Sequence, residues 1–315
     1  MKNITLEELL EAGCHFGHQV TRQNPKAREY IFEARDNIHI IDLAKTKEGL
    51  DEAASYVFNL AKKGGTMIIL GTKRQAESVV RENAQRVKDA GANGLYFVTN
   101  RWVGGLLTNF QEVSKNFKRL KELTEILHNP SEKARFTKKE LSLLEKERAK
   151  LESFYWGVQE MNKIPDAVFI IDTHLEQLAV KEARAMGVTT VGITDTNADP
   201  TIIDYPIPAN DDAVGSIKLI VDHIVDAWIE GKVGTEAVKK TASKPESGKE
   251  TDSSSKEKKK AQESSKATDK AIAKDKKAVE KEIEKKENEK IKSPNSKGKS
   301  TSKNSKVEKT SKNSK

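Results

Sequence analysis

Three candidate metal ligands stand close together near the start of the 315-residue chain. They are Cys14, the only cysteine, with His15 and His18 in "EAGCHFGHQVTRQNPKAREYIF" (Glu11–Phe32). Thiolate and imidazole together suit zinc, but a closed site needs four ligands, and no second C-x-x-C or H-x₃-H group supplies the remainder. Gly13 and Gly17 bracket the histidines and work against a helix that would stack them on one face. His39 is the nearest other histidine and falls inside a predicted strand. No metal is therefore expected from this segment alone. A second set, Asp172, His174, Asp195 and Asp199, sits at predicted strand ends. It suits Mg²⁺ in an enzyme acting on a phosphorylated substrate, with Lys73 and Arg74 holding the phosphate. Yet Asp, Thr and Asn at strand ends are also ordinary caps and turns. "GTKRQA" (Gly71–Ala76) has the glycines of neither a P-loop nor a dinucleotide fingerprint, so the backbone cradle for phosphate is missing. No cofactor is expected.

The cations give a third chemistry. Arg22, Lys26, Arg28 and Arg35 are spaced along a stretch with Asn24-Pro25 and the aromatics Tyr30 and Phe32. Read as an irregular arm, this suits backbone phosphates better than base edges. Lys73, Arg74 and Arg101 add cations at strand ends, Trp102 adds a stacking face, and Asn109 is placed on the same surface. The charge of the whole chain is misleading here. Residues 235–315 hold 25 Lys+Arg against 14 Asp+Glu, while residues 1–234 hold 31 against 34. The body is close to neutral, so RNA binding by it must rest on local patches. One cysteine makes no internal disulfide, which fits a reducing, cytoplasmic setting. The N-terminus lacks the apolar run of a signal peptide, and no stretch approaches the roughly twenty apolar residues of a membrane span.

The elements that must position these residues alternate in period. "TLEELLEAG" opens with a capping box, Thr5 with Glu8, and stops at Gly13. "NIHIIDL", "TMIIL", "GLYFV", "DAVFIID" and "TTVGIT" read as buried strands. "KTKEGLDEAASYVFNLAKKGG", "KRQAESVVRENAQRVKDAG", "LEQLAVKEARAMG" and "DDAVGSIKLIVDHIVDAWIEGK" read as helices. Strands apolar throughout and separated by helices predict a doubly wound parallel α/β sheet covered on both faces. Between "GLYFV" and "DAVFIID" the strand signal lapses, and a helical hairpin is expected over about 106–162. Its stripes run through Val113, Phe117, Leu120, Thr124 and Leu127, and through Leu141, Leu144, Arg148, Leu151, Tyr155 and Val158. So narrow a pattern suits an antiparallel coiled coil that projects at least partly from the sheet. From about Thr235 the chain is Lys, Ser, Glu, Asn and Thr, with too little apolar surface to offset its ordering entropy, and a disordered tail over 235–315 is expected.

Long motifs add a family resemblance. "LLEAGCHFGHQVTRQNPKAREYIFEARDNIHIIDLAKT" (Leu9–Thr46), "GTKRQA", "NRWVGGLLTNF" (Asn100–Phe110), "IPDAVFIIDTHLEQLAVKEARAMGVTTVGITDTNADP" (Ile164–Pro200) and "IPANDDAVGSIKLI" (Ile207–Ile220) occur in that order. They resemble the family of protein two of the small ribosomal subunit, bacterial type, over about residues 2–230. The resemblance implies a flavodoxin-like α/β domain with an inserted helical hairpin and no catalysis. It implies a structural role in the small subunit, with small-subunit ribosomal RNA and neighbouring ribosomal proteins as partners. Among these is the large OB-fold protein that assists messenger binding. A few members are reported near zinc at that contact, but no ligand is carried over. Cys14 departs from the family, which commonly has a small aliphatic residue there, and the Lys-rich tail exceeds what the core requires.

Overall fold

The computed structural model describes residues 3–242, with side-chain surroundings through Gly234. The expected disordered tail lies outside the described residues. A five-stranded parallel sheet is built from β4 (Met67–Leu70), β5 (Leu95–Val98), β6 (Ala167–Ile170), β7 (Thr189–Thr194) and β8 (Tyr205–Pro208), in the order β5-β4-β6-β7-β8. Counted in chain order this is 2-1-3-4-5, a doubly wound arrangement whose switch point lies between β4 and β6.

Alternation along the strands fills two cores. Met67 and Ile69 point to one face, with α2 (Leu43–Lys62), α3 (Arg74–Asp89) and α8 (Val214–Ala242). Ile68 and Leu70 point to the other, with α4 (Phe110–His128), α6 (Lys138–Tyr155) and α7 (Gln177–Met186). Both faces are covered, which is why these strands read as unbroken apolar runs. No helix among the described residues is long and apolar enough to cross a membrane.

Four strands depart from the sequence expectation. "NIHIIDL" does form β3 (Ile38–Ile41), but β3 is not in the parallel sheet. It is the centre of a separate antiparallel sheet between β1 (Phe16–Gln19) and β2 (Ile31–Arg35). The turn between β2 and β3 has Asp36 and Asn37 at φ +51° and +65°, the backbone of a tight hairpin that Asp and Asn tolerate. The arm is thus ordered rather than irregular, with 3₁₀ turns at Val20–Arg22 and Pro25–Tyr30 between its strands. β8 was not expected because Pro206 and Pro208 interrupt its pattern; it is an edge strand, where proline is tolerated.

The insertion contains two long helices. α1 (Leu6–Glu11) and α6 both begin with capping boxes, Thr5 with Glu8 and Thr137 with Glu140. The short α5 (Pro130–Lys133) separates α4 from α6. Arg119 meets Glu147 through two hydrogen bonds of 2.9 and 3.2 Å, and Asn116 donates to the Tyr155 hydroxyl at 3.2 Å, so the helices run antiparallel. Val113, Phe117, Leu120, Tyr155 and Val158 join the second core, so the base packs on the sheet. The α4 stripe runs through Leu123, fully buried, and not Thr124, whose hydroxyl turns back to the Leu120 carbonyl. At the C-terminus α8 begins at Val214 rather than Asp211, because Asn210 takes the amides of Asp212 and Ala213 first. It continues past Gly234 to Ala242.

One buried carboxylate organises the loop between β5 and α4. Glu182, on the inner face of α7, accepts from Trp102 Nε1 at 3.2 Å and from the amides of Gly105, Leu107 and Thr108 at 2.8, 3.1 and 3.3 Å. The Thr108 hydroxyl adds a bond of 3.3 Å. Burial would raise the Glu182 pKa, yet these donors outweigh it and hold it below the usual value. Its stabilisation is present above the ordinary carboxylate pKa and is lost as pH falls through the depressed one. Glu182→Gln is expected to lower unfolding free energy at neutral pH by about 2 kcal/mol, since charge-assisted bonds are lost while the donors stay buried. Guanidinium titrations at neutral and acidic pH check this; the gap between variant and wild type should narrow in acid.

Candidate functional site

In open α/β sheets ligands bind beyond the carboxyl ends of the strands at the switch point. Here that position holds a side chain of the protein itself. Lys73, just after β4, places Nζ 2.8 Å from Asp172 Oδ2, which follows β6. The same Nζ lies 2.8 Å from Asp211 Oδ1 and 2.8 Å from Asp212 Oδ1, in the loop leading to α8. Burial works against the ammonium, but the carboxylates outweigh it and hold the Lys73 pKa above its ordinary value. Asp211 goes the other way. Its burial, with Asp172 and Asp195 close by, pushes its carboxyl up to about 7 in spite of Lys73.

The N-terminal arm closes over this cluster. His18 Nδ1 is 3.1 Å from Asp195 Oδ2, and Nε2 is 3.6 Å from Asp212 Oδ2. The hydrogen bond to Asp195 raises the His18 pKa against the effect of burial. The arm is also held by its backbone. The His18 amide donates to Thr196 Oγ1 at 3.0 Å, and the Asn24 amide to the Thr196 carbonyl at 2.8 Å. Asn210 takes Gly13 and Cys14 in the same way, its side chain donating to the Gly13 carbonyl at 3.2 Å and its amide to the Cys14 carbonyl at 3.1 Å. A Cβ on Gly17 would lie 2.7 Å from Thr196 Cγ2 and 3.2 Å from the His39 carbonyl, so only glycine permits this approach. Lys26 adds an exposed pair with Asp199 at 2.7 Å.

The metal-ligand types therefore regroup. Cys14 is buried in the first core, with its thiol pKa raised by burial, and His15 packs on Phe16. His18 instead meets Asp195 and Asp211, whose ligand atoms lie within 4.8 Å of one another and can hold a divalent ion. One imidazole and two carboxylates suit Zn²⁺ or a harder ion such as Mn²⁺. Next to them is a cavity of about 290 Å³ lined by His18, Arg22, Asp195, Asn210 and Asp212. Asp211, Asp212 and Thr196 escaped the sequence reading; they reach His18 across almost the whole chain. Of the proposed enzyme set, Asp172 and Asp195 join this cluster. Asp199 caps the turn at Pro200–Ile202 and holds Lys26, and His174 faces solvent.

The cations expected to face RNA divide in two. Arg22, Arg28, Arg35, Arg74 and Arg101 are exposed, as is Asn109 at the start of α4. Lys26 is exposed but paired. Lys73 and Trp102 are corrected by the structure. The Lys73 charge is consumed by the carboxylates around it, and the Trp102 ring is 5% exposed, bound to Glu182, with no free face for stacking.

The fold and site together define an α/β domain whose strand-end crevice is filled by its own ion pairs and sealed by an N-terminal arm with exposed cations. The model of the family described as Ribosomal protein S2 matches residues 9–231. The small ribosomal subunit protein uS2 of Acidobacterium capsulatum is 46% identical over 231 residues, covering 73% of this chain and 74% of that protein. The chain belongs to the ribosomal protein S2 family and has a structural role in the small ribosomal subunit, in translation.

The cluster has a definite pH response. His18, with its raised pKa, contributes stability that is complete below its ordinary value and lost as pH rises through the folded one. Asp211 likewise favours its protonated form in the folded state, so its contribution is lost as pH climbs to about 7. The thermal midpoint of metal-free protein is expected to fall from about pH 6 to about pH 8, and less steeply in a His18→Gln, Asp211→Asn double variant. An equal slope in the variant would place the titrating groups elsewhere. Zn²⁺ should bind more tightly as pH rises, because binding displaces protons from His18 and Asp211.

Proposed function

We propose that the chain binds small-subunit ribosomal RNA through the arm and the neighbouring strand-end loops. The observation that carries this reading is the set of exposed arginines, Arg22, Arg28 and Arg35, that make no ion pair among the described residues, on a clamped arm. Arg74 and Arg101 lie exposed after the carboxyl ends of β4 and β5, and Lys26 and Asn109 extend the surface. Fixed cations of this kind contact phosphates, and clamping lowers the entropy lost on binding. The reading includes neighbouring ribosomal proteins as partners, among them the large OB-fold protein that assists messenger binding. An apolar patch of Leu6, Leu10, Phe16 and Phe32, each about half exposed or more, supports a protein contact at the start of the chain. The hairpin of α4 and α6 is read as a coiled coil offering charged outer faces to neighbours. The protein is read as non-catalytic, because Asp172, Asp195 and Asp211 are committed to Lys73 and His18, and as cytoplasmic, as a component of the small subunit.

Tagged protein is expected to co-sediment with small subunits from lysate at low salt; migration only as free protein overturns the reading. Replacing Arg22, Arg28 and Arg35 by Ala should weaken association and reduce the slope of log K against log salt by about two to three units. An unchanged slope moves the phosphate contacts off the arm.

A further inference from the structure

At the β5 edge of the sheet, away from the arm, one indole is left open. Trp156, directly after α6, keeps 44% of its surface exposed. Gly157 fixes it there. The Gly157 carbonyl accepts from the Phe97 amide at 3.2 Å, and a Cβ on Gly157 would lie 2.1 Å from the Phe97 carbonyl, so the chain is pressed onto β5. The Phe97 ring meets the indole edge-on at 5.5 Å. A cleft of about 270 Å³ opens beside it, lined by Arg81, Phe97, Thr99, Ser153, Phe154 and Trp156.

The charges around this cleft favour an anionic, π-faced ligand. Arg74, Arg81 and Lys88 recur every seven residues on α3, which places them along one helix face about 10 Å apart. All three are exposed, and Lys88 Nζ lies 5.4 Å from the Trp156 ring centroid. Two of the acids nearby are matched, Glu77 to Arg81 at 2.9 Å and Glu152, which lines the cleft, to Arg148 at 3.3 Å. Arg74, Lys88 and, beyond the end of β5, Arg101 have no carboxylate partner among the described residues. A rigid exposed indole beside a row of cations is what a single-stranded nucleic acid needs, a face for the base and charges for the backbone.

We propose that the Trp156 cleft is a stacking subsite for an unpaired RNA base, with Lys88 on the flanking phosphate. It rests on the RNA-binding reading above and adds to it a second contact at the β5 edge of the sheet. The protein carries its own probe. It has three tryptophans. Trp102 is 5% and Trp228 0% exposed, so fluorescence quenching by an added base reports Trp156. A short single-stranded oligouridylate titrated into the full chain should quench the emission, and a duplex of equal length should quench it far less. Read by anisotropy of a fluorophore-labelled oligouridylate, Trp156→Leu, which keeps an apolar contact with Phe97, should bind about tenfold more weakly, whereas Trp156→Phe should stay within about threefold. Lys88→Ala should weaken binding and lower its salt dependence by about one contact. Absence of quenching, or equal affinity in Trp156→Leu, overturns the subsite. Quenching by polyglutamate in place of RNA overturns it too and makes the cleft a protein contact. Co-sedimentation with small subunits separates the two levels. Protein that co-sediments without oligonucleotide quenching loses the subsite alone; protein that does not co-sediment loses the RNA reading itself.

Discussion

The Lys73 ammonium and the carboxylates around it are the constraint from which the rest follows. Lys73 sits at the switch point of the sheet, where the chain leaves β4, and it draws in Asp172 from the end of β6 with Asp211 and Asp212 from the loop before α8. Three segments far apart in sequence are thereby fixed at one point. Removing Lys73 would leave Asp172 and Asp211 buried without their counter-charge, which costs far more than an exposed ion pair contributes. The cluster is also short of positive charge. Lys73 and His18 face Asp172, Asp195, Asp211 and Asp212. Such an excess of carboxylates is relieved by a retained proton or by a cation, and the raised pKa values of Asp211 and His18 are the first of these.

Filling the crevice from within changes what the fold can be used for. A doubly wound sheet of this order ordinarily presents an open cleft at the carboxyl ends of its first and third strands. Here the cleft is plugged by Lys73 and covered by the arm, whose backbone is bonded to Thr196 and Asn210. The arm in turn gains a rigid support, so its arginines project from a fixed surface rather than a floppy segment. A crevice filled this way leaves the periphery, the arm, the loop that Glu182 holds before α4 and the helix faces beyond, as the surface open to a partner. In a body whose charges nearly cancel, a local cluster of exposed arginines is the form an RNA-facing surface can take.

The architecture was largely legible in the residues. The parallel strands showed as apolar runs because both of their faces are buried, and the α2 stripe of Leu50, Ala54, Val57 and Ala61 packs where its spacing indicates. The Thr5 and Glu8 capping box is present as read. What failed did so for local reasons. β3 has the composition of a core strand, but a hairpin turn at Asp36 and Asn37 pairs it with β2 before it can reach the main sheet. Leu123 and Thr124 are neighbours, and choosing between them depends on which row of α4 meets its partner, a matter of fractions of a helical turn.

The candidate site divides along the same line. Residue types and spacing by themselves determined that the chain carries arginines on its arm and at strand ends and that "GTKRQA" has neither phosphate-cradle glycine pattern. These follow from local chemistry, which sequence order preserves. Only the tertiary structure decided which charges are free and which are spent. Lys73 and Arg74 are adjacent in the chain, yet one is enclosed by carboxylates and the other faces solvent; Trp102 is buried, while Trp156 stands open. His18 gained its partners from residues on the far side of the sequence. A charge or a ring acquires its role from what lies within a few ångströms of it, and those neighbours are set by sheet order and loop closure, which spacing along the chain does not encode.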